Sequence, residues 1–378
     1  MDAPLRKRYL HEAIDEDLRE KMVFVSGPRQ VGKTTLALQL VGTSDRRHPA
    51  YLSWDDVRAR PRIRAGEMPP GQPRIVLDEI HKYARWRGLV KGLYDTREPG
   101  RSFLVTGSAR LDVYRRGGES LHGRYHAYRL HPFSLPELGG GSAALETLLR
   151  FGGFPEPFLR GTERSWRRWQ RERLDRIVRD DVRDLERVRE ISLIELLADA
   201  LPARVGAPLS IKKLREDLEV AHDTAERWVG ILENLYVCFR IAPLGAPRIR
   251  PVKKERKLYL WDWSAVPDPG ARLENLVASH LLKYCHFVED TEGHRMELRF
   301  LRDTDGREVD FVVSRGGKPI FAVEAKTGET GPSPAVRYFK ERTGIPRWYQ
   351  VHAGKKDVLV DGVRVLPLAA LCREIGIP

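Results

Sequence analysis

The stretch from Gly27 to Thr35, which reads GPRQVGKTT, constrains the fold of this chain more than any other feature. It fits the pattern G-x-x-x-x-G-K-[ST], follows a short apolar run at 22–26, and precedes a helical pattern at 35–40. A strand, a glycine-rich loop and a helix start in this order allow backbone N–H groups to cradle phosphate oxygens. The sequence therefore predicts a nucleotide site made by Gly27, Pro28, Arg29, Gln30, Val31, Gly32, Lys33, Thr34 and Thr35.

Side chains of this loop and of a second strand supply the chemistry. Lys33 can reach the β- and γ-phosphates, and the Thr34 hydroxyl can hold Mg²⁺. The apolar strand Arg74 to Glu79 (RIVLDE) delivers two carboxylates to its end. Asp78 would support Mg²⁺ there, and Glu79 would polarise the water that attacks the γ-phosphate. ATP and Mg²⁺ are the expected cofactors.

Two further residues are candidates for this site. A third apolar strand, Ser102 to Thr106, runs into Ser108, which could sense the γ-phosphate from a position between it and the two carboxylates. Downstream, the segment SLHGR ends in Arg124, which could project from the domain after a flexible glycine. A guanidinium suits the stabilisation of charge on a transferring phosphoryl group.

The order and spacing of GPRQVGKTT, IVLDE, TGSA and LxGR resemble the nucleotide loop, acidic strand, first sensor and arginine finger of an AAA+ ATPase. The resemblance implies an α/β fold, with a doubly wound parallel sheet over residues 1–150 and a helical lid over 151–192. It assigns catalytic roles to Lys33, Glu79, Ser108 and Arg124. It also implies a homo-oligomer, as a ring or hexamer, in which Arg124 completes the neighbour's site.

The formal net charge of +13 indicates a polyanionic partner. Charge alone does not separate nucleic acid from an anionic membrane. However, the longest apolar stretches carry charged residues, and the charged N-terminal segment lacks the apolar core of a signal peptide. We therefore expect a cytoplasmic protein that does not enter a membrane.

Three short helical patterns follow the lid, at 193–204, 210–219 and 224–235, and a strand pattern begins at Tyr236. Three helices with a tight turn before the third resemble a winged helix-turn-helix over residues 193–265, whose last helix commonly enters the DNA major groove. The candidate DNA contacts, including two from a basic run, are Lys212, Lys213, Arg227, Lys253 and Lys254. The alternative is a winged-helix unit used for packing or protein contact.

The segment 266–378 combines a helix acid with two strand acids. Glu274 lies in an amphipathic helical pattern at 271–282. Asp310 lies in the strand pattern REVDFVV, and Glu324 and Lys326 lie in the strand pattern IFAVEAK. A turn between the two strands allows a hairpin that brings Asp310 beside Glu324, and strand alternation places Glu324 and Lys326 on one face. Two acids can bind a divalent cation, and a lysine can help to activate water for phosphodiester attack.

This D-x(13)-E-x-K arrangement resembles the restriction-endonuclease-like, or PD-(D/E)xK-like, fold, which includes Holliday-junction resolvases. In that resemblance Asp310, Glu324 and Glu274 are ligands of a second metal site, and Lys326 is the nuclease lysine. The alternative is a retained fold that binds branched DNA without cutting it, or that serves in assembly. The whole chain resembles a widespread prokaryotic family of AAA+ ATPases whose C-terminal part long had no assigned function.

Three functional hypotheses follow. The leading one is a DNA-stimulated ATPase that remodels or translocates on duplex or branched DNA, with metal-dependent cleavage by the C-terminal domain as an additional activity. The second is a nucleotide-gated regulatory or signalling switch that binds a protein partner. The third is a structure-specific nuclease whose assembly is controlled by ATP.

Overall fold

A computed structural model describes residues 6–107, 121–177, 191–245 and 256–378 of the 378-residue chain. The chain divides into two compact units, Met1–His131 (the first unit) and Pro132–Pro378 (the second unit). The first unit thus ends earlier than residue 150, the limit that the sequence suggested.

The first unit is built on a five-stranded parallel sheet. Its strands are β1 (Met22–Ser26), β2 (Tyr51–Ser53), β3 (Arg74–Asp78), β4 (Ser102–Thr106) and β5 (Tyr125–Arg129), in the order β2-β3-β4-β1-β5. The helices are α1 (His11–Asp17), α2 (Lys33–Leu40), α3 (Ala59–Ala65) and α4 (Trp86–Asp95). The expected α/β fold with a parallel sheet is therefore confirmed.

The interior strands of this sheet are apolar because a parallel sheet is normally covered on both faces. Phe24, Leu77 and Val105 lie in one core cluster, against Trp86 and Val90 of α4. The neighbouring order of β3, β4 and β1 brings the carboxyl ends of these three strands together at one edge of the sheet. Chain segments that leave these ends can therefore share one site.

The second unit begins with helices. They are α5 (Ser142–Phe151), α6 (Pro155–Arg160), α7 (Glu163–Arg176), α8 (Ile191–Ala200), α9 (Ile211–Asp217) and α10 (His222–Asn234). Thr162 and Ser210 cap α7 and α9 by accepting hydrogen bonds from the Ser165 and Lys213 N–H groups. The helices expected at 193–204, 210–219 and 224–235 correspond to α8, α9 and α10.

An eight-stranded mixed sheet fills the rest of the second unit. Its strands are β6 (Cys238–Pro243), β7 (Lys257–Leu260), β8 (Met296–Arg302), β9 (Glu308–Arg315), β10 (Lys318–Ala325), β11 (Trp348–His352), β12 (Val358–Val360) and β13 (Val363–Pro367). Three helices accompany these strands: α11 (Pro269–Glu292) follows β7, α12 (Pro334–Arg342) follows β10, and α13 (Leu368–Ile375) follows β13. The strand order is β12-β13-β11-β10-β9-β8-β6-β7.

The strand pattern that begins at Tyr236 corresponds to β6. This strand pairs with β7 and continues the C-terminal sheet. Ala242 and Pro243 of β6 pair in parallel with Arg299 and Phe300 of β8. This pairing covers the edge of β8, which would otherwise present unpaired backbone groups. The boundary that the sequence suggested between residues 265 and 266 therefore lies inside one continuous sheet.

Candidate nucleotide site and carboxylate cluster

The loop between β1 and α2 has the backbone of a phosphate cradle. Its φ angles are positive at Gly27 (146°), Gln30 (63°) and Gly32 (100°). A Cβ atom at Gly27 would lie 2.4 Å from the Leu130 carbonyl oxygen, so that only glycine fits there. Among the described residues, no side chain caps the start of α2. A bound anion can therefore satisfy the first N–H groups of this helix, and the loop fits the phosphates of ATP.

Lys33 is held within this loop. Its side chain is buried, and Nζ donates hydrogen bonds to the carbonyl oxygens of Gly27 (2.8 Å) and Pro28 (2.7 Å). Phosphate oxygens accept from an ammonium more strongly than neutral carbonyls do, because the hydrogen bond is charge-assisted at both ends. Lys33 Nζ can therefore exchange these two carbonyl acceptors for the phosphate oxygens of a nucleotide.

Three hydroxyl groups converge on Asp78. Thr34 Oγ1 (3.1 Å) and the Tyr51 hydroxyl (2.5 Å) donate to Oδ2, and Thr106 Oγ1 (2.5 Å) donates to Oδ1. Burial, followed by the charge of Asp78, raises the pKa of Tyr51, so that its hydroxyl remains a donor. A hydroxyl and a carboxylate at this separation match the oxygen ligands of Mg²⁺, and therefore Thr34 and Asp78 fit that ion.

Sequence reasoning paired Asp78 with Thr34 but missed Tyr51 and Thr106. Thr106 lies directly beside Asp78 in the β3–β4 register, and Tyr51 lies on β2, the other neighbour of β3. Thr106 could have been found from the sequence, because it is a polar residue at the end of the apolar strand at 102–106. The sequence contains no comparable signal for Tyr51.

Glu79 lies directly after β3 and is paired with a lysine. Its Oε2 atom lies 3.3 Å from Lys82 Nζ, which also lies 2.7 Å from Asp55 Oδ2. Burial opposes the charge of Lys82, but the Asp55 and Glu79 carboxylates hold its pKa above the ordinary value. The Glu79 carboxylate thus follows Asp78 directly in sequence and is oriented by an ammonium.

The two remaining catalytic candidates have different outcomes. Ser108 lies outside the described residues. Arg124 forms a two-point ion pair with Asp95 at the end of α4, with Nε–Oδ1 at 2.8 Å and Nη2–Oδ2 at 3.2 Å. Met22 pairs with Tyr125 at the amino ends of β1 and β5. Arg124 therefore lies at the edge of the sheet opposite to the phosphate loop, away from the nucleotide site of its own subunit.

The segment before α1 contributes a contact that sequence reasoning missed. The buried Arg8 donates through Nη1 to the Val31 carbonyl oxygen (2.7 Å) and through Nη2 to that of His131 (2.5 Å). The Tyr9 hydroxyl donates to the Arg129 carbonyl oxygen (2.8 Å). The N-terminal segment thus links the phosphate loop to the end of β5.

The DNA-contact candidates fall on α9 and α10. Lys212, Lys213 and Arg227 are exposed, whereas Lys253 and Lys254 lie outside the described residues. Two acids of α10 share one cation within the unit: Arg240 of β6 bonds both Glu226 (3.1 Å) and Glu233 (2.8 Å). Arg240 therefore reduces the electrostatic repulsion between these two carboxylates and a polyanion.

The β9–β10 hairpin brings Asp310 and Glu324 together, as the sequence predicted. The Asp310 N–H donates to Glu324 Oε2 (3.2 Å), and the Ala325 N–H donates to Asp310 Oδ2 (3.0 Å). Lys326 Nζ lies 2.7 Å from Glu324 Oε1. Glu274 of α11 and Glu308 of β9 complete a group of four acids, which we call the carboxylate cluster: Glu274, Glu308, Asp310 and Glu324.

The last lysine of the basic run at 248–257, which the sequence predicted to bind DNA phosphates, lies instead in this cluster. Lys257 of β7 is fully buried, and its Nζ lies 2.7 Å from Glu308, 2.9 Å from Glu274 and 3.2 Å from Asp310. Burial, followed by the charge of Asp310, raises the pKa values of Glu274 and Glu324. Within the described ranges, no group of three or more His, Cys, Asp or Glu side chains is arranged to hold a metal ion. The geometry therefore does not support the expected second metal site at Asp310, Glu324 and Glu274.

Among the helices of the described ranges, none is both long and apolar enough to cross a bilayer.

Family comparisons divide the chain into three segments. Residues 19–139 match the family model of an AAA domain. Residues 142–266 and 269–371 match two further families, each described as a domain of unknown function (DUF8612 and DUF4143).

Curated relatives match across the three segments. An uncharacterized protein of Mycobacterium tuberculosis is 27% identical over 349 residues, which cover 84% of this chain and 74% of the relative. An uncharacterized protein of Methanocaldococcus jannaschii is 22% identical over 371 residues, with coverage of 87% and 81%. Among solved structures, the Thermotoga maritima RuvB Holliday junction branch migration motor aligns at 18% identity with a TM-score of 0.28, over 61% of this chain and 87% of that one.

The AAA match covers the phosphate loop, Asp78 and Glu79, whose geometry fits Mg²⁺ and a nucleotide. Residues 19–139 therefore match an AAA domain, and their phosphate loop and paired acids support a P-loop ATPase.

Proposed function

We propose that this protein is a DNA-stimulated ATPase that acts on duplex or branched DNA. The observation that carries the ATPase assignment is the link between Thr34, at the start of the phosphate-loop helix, and Asp78, with Glu79 as the next residue. Thr34 and Asp78 would hold Mg²⁺, which supplies charge neutralisation at the phosphates. A single carboxylate thus connects the phosphate loop to the end of β3.

The protein's own groups divide the remaining tasks. Lys33 binds the phosphate oxygens and stabilises the charge that develops on the transferring group. Glu79 orients and polarises the attacking water, with Lys82 fixing the position of its carboxylate. Ser108 is proposed as the sensor of the γ-phosphate.

The DNA assignment rests on charge and exposure. The chain carries a net charge of +13. Lys212, Lys213 and Arg227 are exposed on two successive helices, and Arg240 offsets part of the charge of the acids at 226 and 233. Phosphate contacts by such side chains give affinity that does not depend on sequence and falls with salt. Lys253 and Lys254 are proposed as additional phosphate contacts.

The proposed assembly is a homo-oligomer, as a ring or hexamer. Arg124 lies at the sheet edge opposite to its own phosphate loop, so it can act on a nucleotide only in a neighbouring subunit. Its partner Asp95 would have to release it for that role. Because the proposed substrate is ATP, we expect the protein to act in the cytoplasm.

The test measures ATP hydrolysis with no DNA and with single-stranded, duplex, forked and four-way DNA, using Lys33→Ala as the inactive control. We expect at least one DNA form to raise the wild-type rate, and DNA affinity to fall as salt rises. Rates that no DNA form changes, together with the absence of salt-dependent binding, would contradict the proposal.

A second candidate is a nucleotide-gated switch that binds a protein partner. The Lys82–Glu79 ion pair favours it, because a restrained catalytic carboxylate would make turnover slow. In that case basal hydrolysis stays slow with every DNA form and rises in Lys82→Ala. Lys91→Ala, which changes another lysine of the first unit, serves as the control.

The third hypothesis is a nuclease whose assembly ATP controls. It requires cutting that depends on Mg²⁺ or Mn²⁺, is lost in Asp310→Ala and persists in Glu79→Gln. The position of Lys257 among the carboxylates weighs against it.

A further inference from the structure

The carboxylate cluster contains a cation that belongs to the chain itself. Lys257 Nζ contacts one oxygen from each of three acids: Glu274 Oε1 (2.9 Å), Glu308 Oε1 (2.7 Å) and Asp310 Oδ1 (3.2 Å). An ammonium has three N–H donors, so three acceptors match its full capacity. Its side chain is 0% exposed, and it therefore exchanges none of these partners for water.

Other donors of the second unit also contact the acids of the cluster. The Tyr259 hydroxyl donates to Glu274 Oε1 (2.7 Å), and the Ala325 N–H donates to Asp310 Oδ2 (3.0 Å). Glu324 accepts from the Asp310 N–H through Oε2 and pairs with Lys326 through Oε1. The nuclease lysine of the resemblance thus has a carboxylate partner, with an N–O distance of 2.7 Å.

Size and charge both oppose a second cation in this position. Mg²⁺ and Ca²⁺ bind carboxylate oxygens at about 2.0–2.6 Å. An ion held by the oxygens of Glu274, Glu308 and Asp310 would occupy the space of the Lys257 ammonium, and two cations in contact inside a protein repel strongly. Expelling the ammonium would also leave a buried charge without partners, which is strongly unfavourable.

We propose that Lys257 is the permanent cation of the carboxylate cluster, in place of a divalent metal, and that the C-terminal domain does not cut DNA. The same lysine fastens β7 to α11 and β9, because its three acids come from those two elements. Two acids of the metal site that the nuclease resemblance implies, Glu274 and Asp310, are thus part of a salt-bridged anchor within the second unit.

The first experiment uses the 378-residue chain with Lys257 and the carboxylate cluster unchanged. Calorimetry measures Mn²⁺ binding without nucleotide in a Thr34→Ala background, so that the nucleotide site makes little contribution. Cleavage of four-way and duplex DNA is assayed in Mg²⁺ and in Mn²⁺. We expect neither stoichiometric Mn²⁺ binding nor cutting. The proposal is overturned if Mn²⁺ binds and Asp310→Asn abolishes that binding. It is also overturned if DNA is cut and Asp310→Ala abolishes the cutting. Neither result depends on whether a Lys257 variant folds.

The second experiment replaces the internal cation. Lys257→Met keeps the length of the side chain but removes its charge, and Lys318→Met changes an exposed lysine of the same sheet as the control. We expect Lys257→Met to lower the thermal midpoint and to gain Mn²⁺ affinity by roughly tenfold or more, so that Mn²⁺ restores part of the midpoint. A folded Lys257→Met variant that binds Mn²⁺ no better than Lys318→Met contradicts the assignment of the cation position.

Discussion

Asp78, at the end of β3, is hydrogen-bonded to one helix and two neighbouring strands of the first unit. Its two carboxylate oxygens accept from hydroxyl groups on α2, β2 and β4. The sequence indicated Asp78 itself because an apolar strand ends in two acids. It did not indicate Tyr51, because the partner of a carboxylate depends on strand order, and β2 reaches β3 only through the fold.

Removal of the Tyr51 hydroxyl tests this arrangement. In Tyr51→Phe, one donor to Asp78 Oδ2 is lost, so that the carboxylate is held less firmly for Mg²⁺. We expect the affinity for Mg²⁺-nucleotide to fall roughly fivefold, equivalent to about 1 kcal/mol. The measurement is titration of a fluorescent ATP analogue at several Mg²⁺ concentrations. Tyr94→Phe, whose hydroxyl donates to the Glu20 carbonyl oxygen, is the control, and an equal effect in both variants would contradict the role of Tyr51.

Gly27 offers a second test at the same scale. Alanine there would combine a φ of +146° with a Cβ atom 2.4 Å from the Leu130 carbonyl oxygen. Gly42 also has positive φ, but nothing lies within 4 Å of a Cβ atom placed there. We expect Gly27→Ala to lower the free energy of unfolding by at least about 2 kcal/mol more than Gly42→Ala does. Urea denaturation measures the difference, and equal losses would show that the Leu130 contact is not limiting.

At the scale of elements, α11 shows why helical periodicity alone gives an incomplete description. The sequence suggested an amphipathic helix at 271–282, whereas the helix extends from Pro269 to Glu292 and buries the polar residues Asn275, His280 and Lys283. Each has a tertiary partner: Asn275 bonds the Leu260 backbone, His280 accepts from the Leu135 N–H, and Lys283 donates to Ser134 Oγ. These partners are distant in sequence, and therefore no local pattern predicts them.

His280 gives this helix a pH dependence. Nε2 accepts from the Leu135 N–H (2.9 Å), and Nδ1 lies 2.8 Å from the Leu276 carbonyl oxygen, which requires the neutral ring with its proton on Nδ1. Burial and, less strongly, the nearby Lys283 lower its pKa to about 4, against the opposing effects of the Leu276 carbonyl and Glu137. Because this pKa is lowered, the contribution of neutral His280 to the free energy of unfolding is complete above 6.5, the ordinary pKa of histidine. That contribution is lost as the pH falls towards 4.

We therefore expect the difference in unfolding free energy between wild type and His280→Gln to shrink as the pH falls from 7 to 4, by up to about 3 kcal/mol. Denaturant titrations at each pH provide the measurement. Using the difference between two proteins cancels the carboxylates that titrate over the same range. A difference that stays constant with pH would show that His280 makes no such contribution.

The α9–α10 pair carries the prediction on DNA. Replacing Lys212 and Lys213 together by Gln removes two exposed charges, and we expect the slope of log affinity against log salt to decrease by about 2, roughly 0.9 for each lost phosphate contact. Fluorescence anisotropy with duplex DNA at several salt concentrations measures the slope. Lys318→Gln, on β10, is the control. An unchanged slope in the double variant would place the DNA contacts elsewhere.

At the scale of the whole molecule, assembly determines whether Arg124 has a catalytic role. The strand register separates it from its own phosphate loop, so that a contribution in trans can be tested by mixing inactive subunits. We expect Lys33→Ala and Arg124→Ala, each inactive alone, to regain ATPase activity together, because an intact loop then meets an intact arginine at some interfaces.

The matched control for this experiment mixes Lys33→Ala with Glu79→Gln. Both changes affect groups of the same site in one subunit, so that no interface in the mixture is complete. Activity that is equal in the two mixtures would exclude Arg124 as a group acting between subunits.

The eight-stranded sheet also bears on how such a chain can evolve. The family boundary between residues 266 and 269 falls between β7 and α11, yet Lys257 precedes it and the carboxylates that it contacts follow it. Recombination at that point would combine a lysine-bearing strand from one parent with acids from another and would break the β6–β8 pairing. The two segments of unknown function are therefore expected to be inherited as a pair, and a chimera joined there would have to match both the lysine and its acids.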